Sequence, residues 1–386
     1  VEYLIDIRSS SLTKHGEILC GDQVKQRAAK GQTFVVLSDG LGSGVKANIL
    51  ATLTCEIIAS MLSQGAELGH VVETVIGTLP VDKIRHSAYA TFTAVRIDES
   101  TGAFQIVNFD NPPAMYFRLG KLRPLNDETV SVAGRTVTLS EGVLQRGDLL
   151  AIMSDGVPHA GIGNTLSFGW GWQNIADHIE KRFLTHYRTA LDVVRDIAAV
   201  TGRLYGGQPG DDATIVGIYA RQRRRLLLFT GPPLDESLDA VIADRLLSFD
   251  GTRVVCGGTS GSIVATAAGG EIETDLSTMR EDVPPIGVLY GVDLLTEGLI
   301  TMSKAMEYLR ACDGNPSGLP RDRNGAVLLA TELLQADDIE MIVGQQINPF
   351  YQNPLLPRSI SLRKNLVREM SDFLRDHGKQ VTVEFC

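Results

Sequence analysis

Four short acidic motifs are spread over the first 220 residues of this 386-residue chain: Gly21-Asp22, Ser38-Asp39-Gly40, Ser154-Asp155-Gly156 and Asp211-Asp212-Ala213-Thr214. Each sets a carboxylate at the end of an apolar, strand-like run or in the turn beside one. Strands that deliver several aspartates to one place build a site for hard divalent cations, because carboxylate oxygens suit Mg²⁺, Mn²⁺ or Ca²⁺ better than softer metals. Two such ions about 3.5–4 Å apart need a bridging carboxylate, further carboxylates on each side, and open positions for water and substrate. Asp39 is the natural bridge, and Gly40, lacking a side chain, lets its carbonyl approach a metal directly. Asp22, Asp155 and Asp211 could complete the cage from three other strands. A water activated there would attack phosphorus in line, with Asp39 and Asp22 at the centre of the chemistry. One Asp-Gly pair after a strand is ordinarily a turn; two of them, with Gly-Asp and Asp-Asp-x-Thr in this order, carry more weight.

The elements that must position these residues are readable from periodicity. Residues 3–10, 17–29 and 33–38 read as strands, the last ending at Asp39-Gly40. Gly42-Ser43-Gly44 opens a long helix whose Ile49, Leu50, Leu53, Ile57, Ile58, Met61 and Leu62 fall at three- and four-residue spacing, which predicts one buried face. A second helix is expected over 69–79, strands over 90–98, 103–110, 114–119 and 149–154, helices over 172–183 and 187–204, and a closing strand over 213–219. This order predicts an α+β sandwich with antiparallel sheets inside. The run Arg221-Gln222-Arg223-Arg224-Arg225 reads as a solvated linker, with docking of an acidic partner as the alternative. Beyond it, strands at 226–229, 253–256, 286–290, 339–343 and 380–385 alternate with helices at 235–247, 262–268, 300–311, 325–335 and 360–377. That rhythm predicts an α/β domain with a mainly parallel sheet. The expected domains are therefore residues 1–220 and 226–386.

Residues 3–220 resemble the PPM metal-dependent serine/threonine phosphatases (the protein phosphatase 2C superfamily), and more closely their bacterial SpoIIE-type branch. Ser38-Asp39-Gly40-Leu41-Gly42-Ser43-Gly44-Val45-Lys46-Ala47 looks like that branch's Asp-Gly-Met-Gly-x-Gly-x-x-Ala motif. Ser154-Asp155-Gly156 is similar to its later Asp-Gly motif, Gly210-Asp211-Asp212-Ala213-Thr214 matches its closing Asp-Asp-x-Thr, and Gly21-Asp22 fits the early Gly-Asp. The resemblance implies an αββα sandwich with a binuclear Mn²⁺ or Mg²⁺ site between the sheets. It implies Asp22, Asp39, Gly40 through its carbonyl, Asp155 and Asp211 as metal ligands, with Asp212 in a supporting role. It also implies a phosphoserine- or phosphothreonine-bearing regulatory protein as substrate, such as an anti-anti-sigma protein, and control through the helices over 44–79. The chain departs from the branch at Asn108-Phe109-Asp110-Asn111-Pro112-Pro113, where Phe109 and Asp110 replace a glycine and a histidine. Leu41 replaces the histidine of eukaryotic relatives, and no clear arginine is seen in the first strand to hold the phosphate.

Composition narrows the classes further. A formal net charge of −10 and a pI of about 5.3 argue against general affinity for nucleic acid or anionic membrane. Five scattered cysteines without a Cys-x-x-Cys pair suggest neither a zinc site nor a disulfide framework, and point to a cytoplasmic protein. No apolar run reads as a membrane span, and Val1-Glu2-Tyr3-Leu4 is not a signal peptide. His86, His159 and His178 read as surface or packing residues, as His15 and Lys46 do beside the predicted cleft. Gly257-Gly258-Thr259-Ser260-Gly261 could cradle an anion or be a tight turn, without a P-loop lysine or dinucleotide fingerprint. The competing reading is a phosphoprotein-binding module whose second domain is a small-molecule sensor. A further one makes that domain a second enzyme, and a homodimer is compatible with either.

Overall fold

Period-two alternation through the first 222 residues becomes two antiparallel sheets packed face to face. The computed structural model describes residues 3–78, 90–132, 134–163, 165–346 and 359–386. The chain divides into two units, Val1–Gln222 and Arg223–Cys386. In chain order the first runs β1 (Tyr3–Leu12), β2 (Asp22–Ala29), β3 (Gln32–Gly40), α1 (Gly44–Ser63), α2 (Leu68–Thr78), β4 (Ala90–Asp98), β5 (Ala103–Phe109), β6 (Met115–Arg118), β7 (Lys121–Arg123) and β8 (Asn126–Val132). It continues with β9 (Arg135–Val143), β10 (Leu149–Met153), α3 (Trp172–His186), α4 (Ala190–Leu204) and β11 (Ala213–Gln222). One sheet has the order β1-β11-β10-β6-β7 and the other β2-β3-β4-β5-β9-β8.

Three apolar layers define the αββα sandwich. Val35, Leu37, Val95, Ile97, Ile106, Leu150, Ile152, Val216 and Ile218 fill the space between the sheets. The alternate residues of the same strands face outward. Phe34, Val36, Phe92 and Ala94 pack under α1 and α2, while Leu149, Ala151, Met153 and Ile215 pack under α3 and α4. A one-residue slip of any strand would exchange these layers, so burial on both faces fixes the register.

The second unit is a doubly wound α/β domain. Its elements are β12 (Arg225–Thr230), α5 (Asp239–Leu247), β13 (Thr252–Cys256), α6 (Gly258–Ala268), β14 (Glu273–Asp275), β15 (Ile286–Val288), β16 (Leu294–Thr296), α7 (Leu299–Ala311), α8 (Gly325–Gln335), β17 (Asp338–Val343), α9 (Ser359–Asp376) and β18 (Gln380–Phe385). The sheet order is β14-β15-β16-β13-β12-β17-β18. The five strands from β16 to β18 are parallel, and β14 and β15 add an antiparallel edge. Leu227, Phe229 and Val255 pack with α5 and α6 on one face. Leu226, Leu228 and Val254 pack with α7, α8 and α9 on the other.

Two sequence-based expectations need correction, and the residues after 119, for which the periodicity predicts no element, prove to be strands. The arginine run is no solvated linker. Arg221 is 9% exposed, is the penultimate residue of β11 and donates from Nε to Asp6 Oδ2 at 2.8 Å. Arg223 pairs with Asp338, and Arg225 pairs with Glu340 and lies over the Phe249 ring. The polar stretch after residue 119 forms β7, β8 and β9. β8 is almost wholly exposed as an edge strand, so it carries no apolar alternation to reveal it. On α1 the buried face is Ala47, Ala51, Thr54, Cys55, Ile58, Ala59 and Leu62, whereas Val45, Ile49, Leu53 and Ile57 are exposed. Small residues face the sheet because α1 lies close against β2 and β3, and the larger aliphatics face away. By length and composition alone α1 is long and apolar enough to cross a membrane, a test that a core helix also passes, and here its small-residue face is packed on the sheet.

Adjacent residues on α1 separate the two faces. Ile58→Ala, at 1% exposure, is expected to cost about 2–5 kcal/mol in urea unfolding. Ile57→Ala, at 40% exposure, is expected to change stability by less than about 1 kcal/mol.

Candidate metal centre

The inter-sheet space turns from apolar to polar at one end. Leu37 is followed on the same face of β3 by Asp39, and Val95 is preceded on β4 by Thr93 and Thr91. Asp22 stands opposite Asp39 in the β2–β3 ladder, and Asp39 stands opposite Thr91 in the β3–β4 ladder. Two carboxylates and a hydroxyl therefore form one row across three strands. From the facing sheet, Ser154 follows β10 and Thr214 is the second residue of β11.

Side-chain hydrogen bonds fix this end. Ser154 Oγ donates to Asp22 Oδ2 at 2.7 Å and accepts from the Thr214 N–H at 2.8 Å. The second Asp22 oxygen, Oδ1, is buried without a hydrogen-bond partner. Thr91 Oγ1 donates to Asn111 Oδ1 at 2.6 Å, and Asn108 Nδ2 donates to the Asn111 carbonyl at 2.8 Å. The Asn-Pro-Pro turn is thus a structural clamp beside Asp39. Phe109 is buried in the outer layer and Asp110 takes a positive φ of 58° at the exposed turn. Neither replacement reaches the carboxylates.

Backbone contacts are equally tight. A β-carbon at Gly40 would collide with the Ala47 carbonyl in the first turn of α1, and one at Gly156 would collide with the Asp212 carbonyl. Both glycines of the Asp-Gly pairs are therefore demanded by close backbone approach. The strand over 33–38 in fact continues through Asp39 and Gly40, because both pair with β4. Tyr205 Oη donates to the Gly156 carbonyl at 2.7 Å. Asp212 accepts the Lys14 N–H at 3.0 Å. Asp211 is 47% exposed with Lys14 Nζ at 3.8 Å, and Asp155 is 47% exposed with His159 Nδ1 at 3.8 Å.

The charges feel one another. Burial first, then the charges of Asp22, Asp155, Asp211 and Asp212, push the Asp39 carboxyl up to about 9. Burial pushes Asp22 up to about 6 against the hydrogen bonds of Ser154 and Thr214, with Asp212 and Asp155 adding to the rise. Asp211 is raised by burial and by Asp155. Among the described residues, no three His, Cys, Asp or Glu side chains are gathered tightly enough to hold a metal ion as placed. An all-oxygen donor set with a buried, unpartnered Asp22 oxygen fits a hard divalent cation.

The remaining polar candidates are accounted for elsewhere. His178 bonds Asp196, which also takes Arg182 and the Tyr187 hydroxyl, in a packing cluster under α3 and α4. His15 is exposed, Lys46 lies on the exposed face of α1, and His86 lies outside the described residues. β1 does carry an arginine, Arg8, but it shares the outer face with Asp6, which binds the first N–H of α4. The amino end of α1 is met by Glu17, which accepts from Ser43 Oγ at 2.8 Å. Ser154 and Thr214 were not singled out from sequence, although Ser-Asp-Gly and Asp-Asp-x-Thr contain them.

Two antiparallel sheets flanked by helix pairs, with aspartates meeting at one end between them, define a phosphatase fold of the PP2C type. The family described as stage II sporulation protein E (SpoIIE) matches residues 29–221, and the chain belongs to that family. Among solved structures it is similar to the PP2C phosphatase domain with a regulatory-domain fragment of SpoIIE from Bacillus subtilis, at 19% identity and a TM-score of 0.47. That match covers 57% of this chain and 63% of the other, so the chain spans less than two thirds of that relative. The SpoIIE phosphatase domain from Bacillus subtilis in a form without domain swapping matches at 18% identity and a TM-score of 0.45, over 57% and 94% of the two chains. The RsbU and RsbW domains of Rv1364c from Mycobacterium tuberculosis match at 17% identity and 0.47, over 64% and 70%. A search of curated proteins finds no match.

A raised carboxyl binds its proton more tightly in the folded state, so its contribution to stability is complete below the unfolded carboxylate value and is lost as pH rises through the folded value. In chelator, thermal stability is therefore expected to fall between about pH 4 and pH 9, the span set by Asp22 and Asp39. Asp39→Asn is expected to flatten that fall, as read by the melting temperature across pH.

Proposed function

We propose that residues 1–220 form a metal-dependent protein phosphatase that hydrolyses phosphoserine or phosphothreonine esters, and that residues 226–386 form its regulatory, ligand-sensing or interaction domain. The observation that carries this reading is the Asp22–Asp39 cross-strand pair, turned into the polar end of the inter-sheet space with Asp155 and Asp211 near enough to raise its proton affinity. Like charges directly opposite each other in a ladder are destabilising without a counter-ion. Asp22, Asp39, the Gly40 carbonyl, Asp155 and Asp211 would hold two Mn²⁺ or Mg²⁺ ions. Such ions supply Lewis-acid charge for phosphoryl oxygens and lower the pKa of a water molecule.

The chain's own residues do the rest. Ser154 holds Asp22 in one rotamer, and Thr214 orients Ser154 through its N–H. Thr91 and Asn111 give the neighbouring wall a fixed set of dipoles. The apolar layer behind Leu37 and Ile152 keeps water out from below, which strengthens every charge interaction at the polar end. Asp155 and Asp211, each about half exposed, mark the side open to a protein substrate. That substrate is proposed to be a phosphorylated regulatory protein of the anti-anti-sigma type in a partner-switching system. All five cysteines are free, which suits a cytoplasmic protein, and a homodimer is compatible with the reading.

Hydrolysis of p-nitrophenyl phosphate with and without Mn²⁺ tests the reading. Wild type is expected to be stimulated by Mn²⁺, and Asp39→Asn to lose roughly a thousandfold, about 4 kcal/mol of transition-state stabilisation. Ser154→Ala is expected to lose about 10- to 100-fold through weaker metal affinity. Full Mn²⁺-dependent turnover by Asp39→Asn, with its circular dichroism unchanged, would eliminate the assignment.

A further inference from the structure

The second unit has a change of winding direction that the phosphatase reading does not use. β13 and β16 are neighbouring parallel strands, with Cys256 opposite Thr296. α6, which follows β13, packs on one face of the sheet through Val264 and Ala265. α7, which follows β16, packs on the other through Met302, Ala305 and Met306. Where two adjacent strands send their helices to opposite faces, a crevice opens outside their carboxyl ends, and ligands of open α/β sheets bind there.

Both helices begin in that crevice. The cap of α6 is Gly257 and that of α7 is Gly298, and neither makes a side-chain cap hydrogen bond. The two caps approach so closely that a β-carbon on Gly298 would stand 3.5 Å from the Gly257 Cα. Gly257 also holds a φ of 128°, which other residues rarely adopt. The first N–H groups of each helix have no acceptor within the helix, and amino ends this close add their positive fields between them.

Two buried hydroxyls point independently to a ligand. Ser260 and Thr301, each three residues after its cap glycine, are both 0% exposed, and neither hydroxyl has a hydrogen-bond partner. Ser260 Oγ lies 3.5 Å from where a Gly257 β-carbon would be, so it is turned toward the cap. Leaving a buried hydroxyl unpaired costs about 1–3 kcal/mol, and each of the two helices carries that cost in its first turn. Gly258 and Thr259 are exposed, so the amino end of α6 is open to a ligand from outside.

We propose that the paired amino ends of α6 and α7 bind the phosphoryl group of a small phosphorylated molecule. A tetrahedral anion with three terminal oxygens can accept from both helix ends and from the Ser260 hydroxyl, with the unpaired Thr301 hydroxyl in the first turn of the second helix. The exposed Glu297 carboxylate lies 4.0 Å from the Gly258 β-carbon position and competes for the same field. Titration calorimetry of the full chain with inorganic phosphate, in chelator and at constant ionic strength, tests the site. Wild type is expected to bind saturably, Ser260→Ala/Thr301→Val to bind at least tenfold more weakly with an unchanged or higher melting temperature, and Glu297→Gln to bind several-fold more tightly. Absence of saturable binding by wild type, equal binding by the double variant, a lower melting temperature in that variant, or no gain in Glu297→Gln would each overturn the assignment.

Discussion

Two aspartates face each other across neighbouring strands, Asp22 on β2 and Asp39 on β3, on the side of the sheet that carries the inter-sheet core. A ladder of this kind ordinarily avoids such a pair, because like charges opposite one another repel at a short cross-strand distance. The rest of the first unit is arranged around holding them there. β10 and β11 bring Ser154 and Thr214 over from the facing sheet, and the Asn108–Asn111 turn stiffens the wall beside them. The apolar layers that fix strand register thereby also fix where the charges stand, and proton affinity at Asp39 rises in consequence.

How far the sequence revealed this depends on what kind of signal each part carries. Strands buried on both faces, such as residues 33–38 and 149–154, announce themselves as apolar runs, and the aspartates at their ends follow. The sandwich and the mainly parallel second sheet were legible for the same reason. β8 was not, since an exposed edge strand lacks a buried face to alternate with. The face of α1 was misread because periodicity marks large aliphatics, whereas close packing on β2 and β3 selects alanines. Arg221 was misread because its partner, Asp6, lies 215 residues away in sequence.

The site itself was legible by residue type and not by geometry. Spacing could nominate Asp22, Asp39, Asp155 and Asp211, yet the supporting hydrogen bonds of Ser154, Thr214, Asn108 and Asn111 depend on strand order. The second unit shows the converse. Its Gly-Gly turn was visible as a motif of uncertain meaning, and it gained one when the winding of the sheet set Gly257 against Gly298.

The turn carrying Ser154-Asp155-Gly156 and the turn carrying Asp211-Asp212 are interlocked through main chain: Gly156 lies against the Asp212 carbonyl, and Ser154 and Thr214 exchange bonds in both directions. Surface loops usually accept insertions one at a time. These two cannot, for lengthening either would pull the other out of place. Their lengths should drift together or not at all through divergence, a correlated constraint that any redesign of this end of the sandwich inherits.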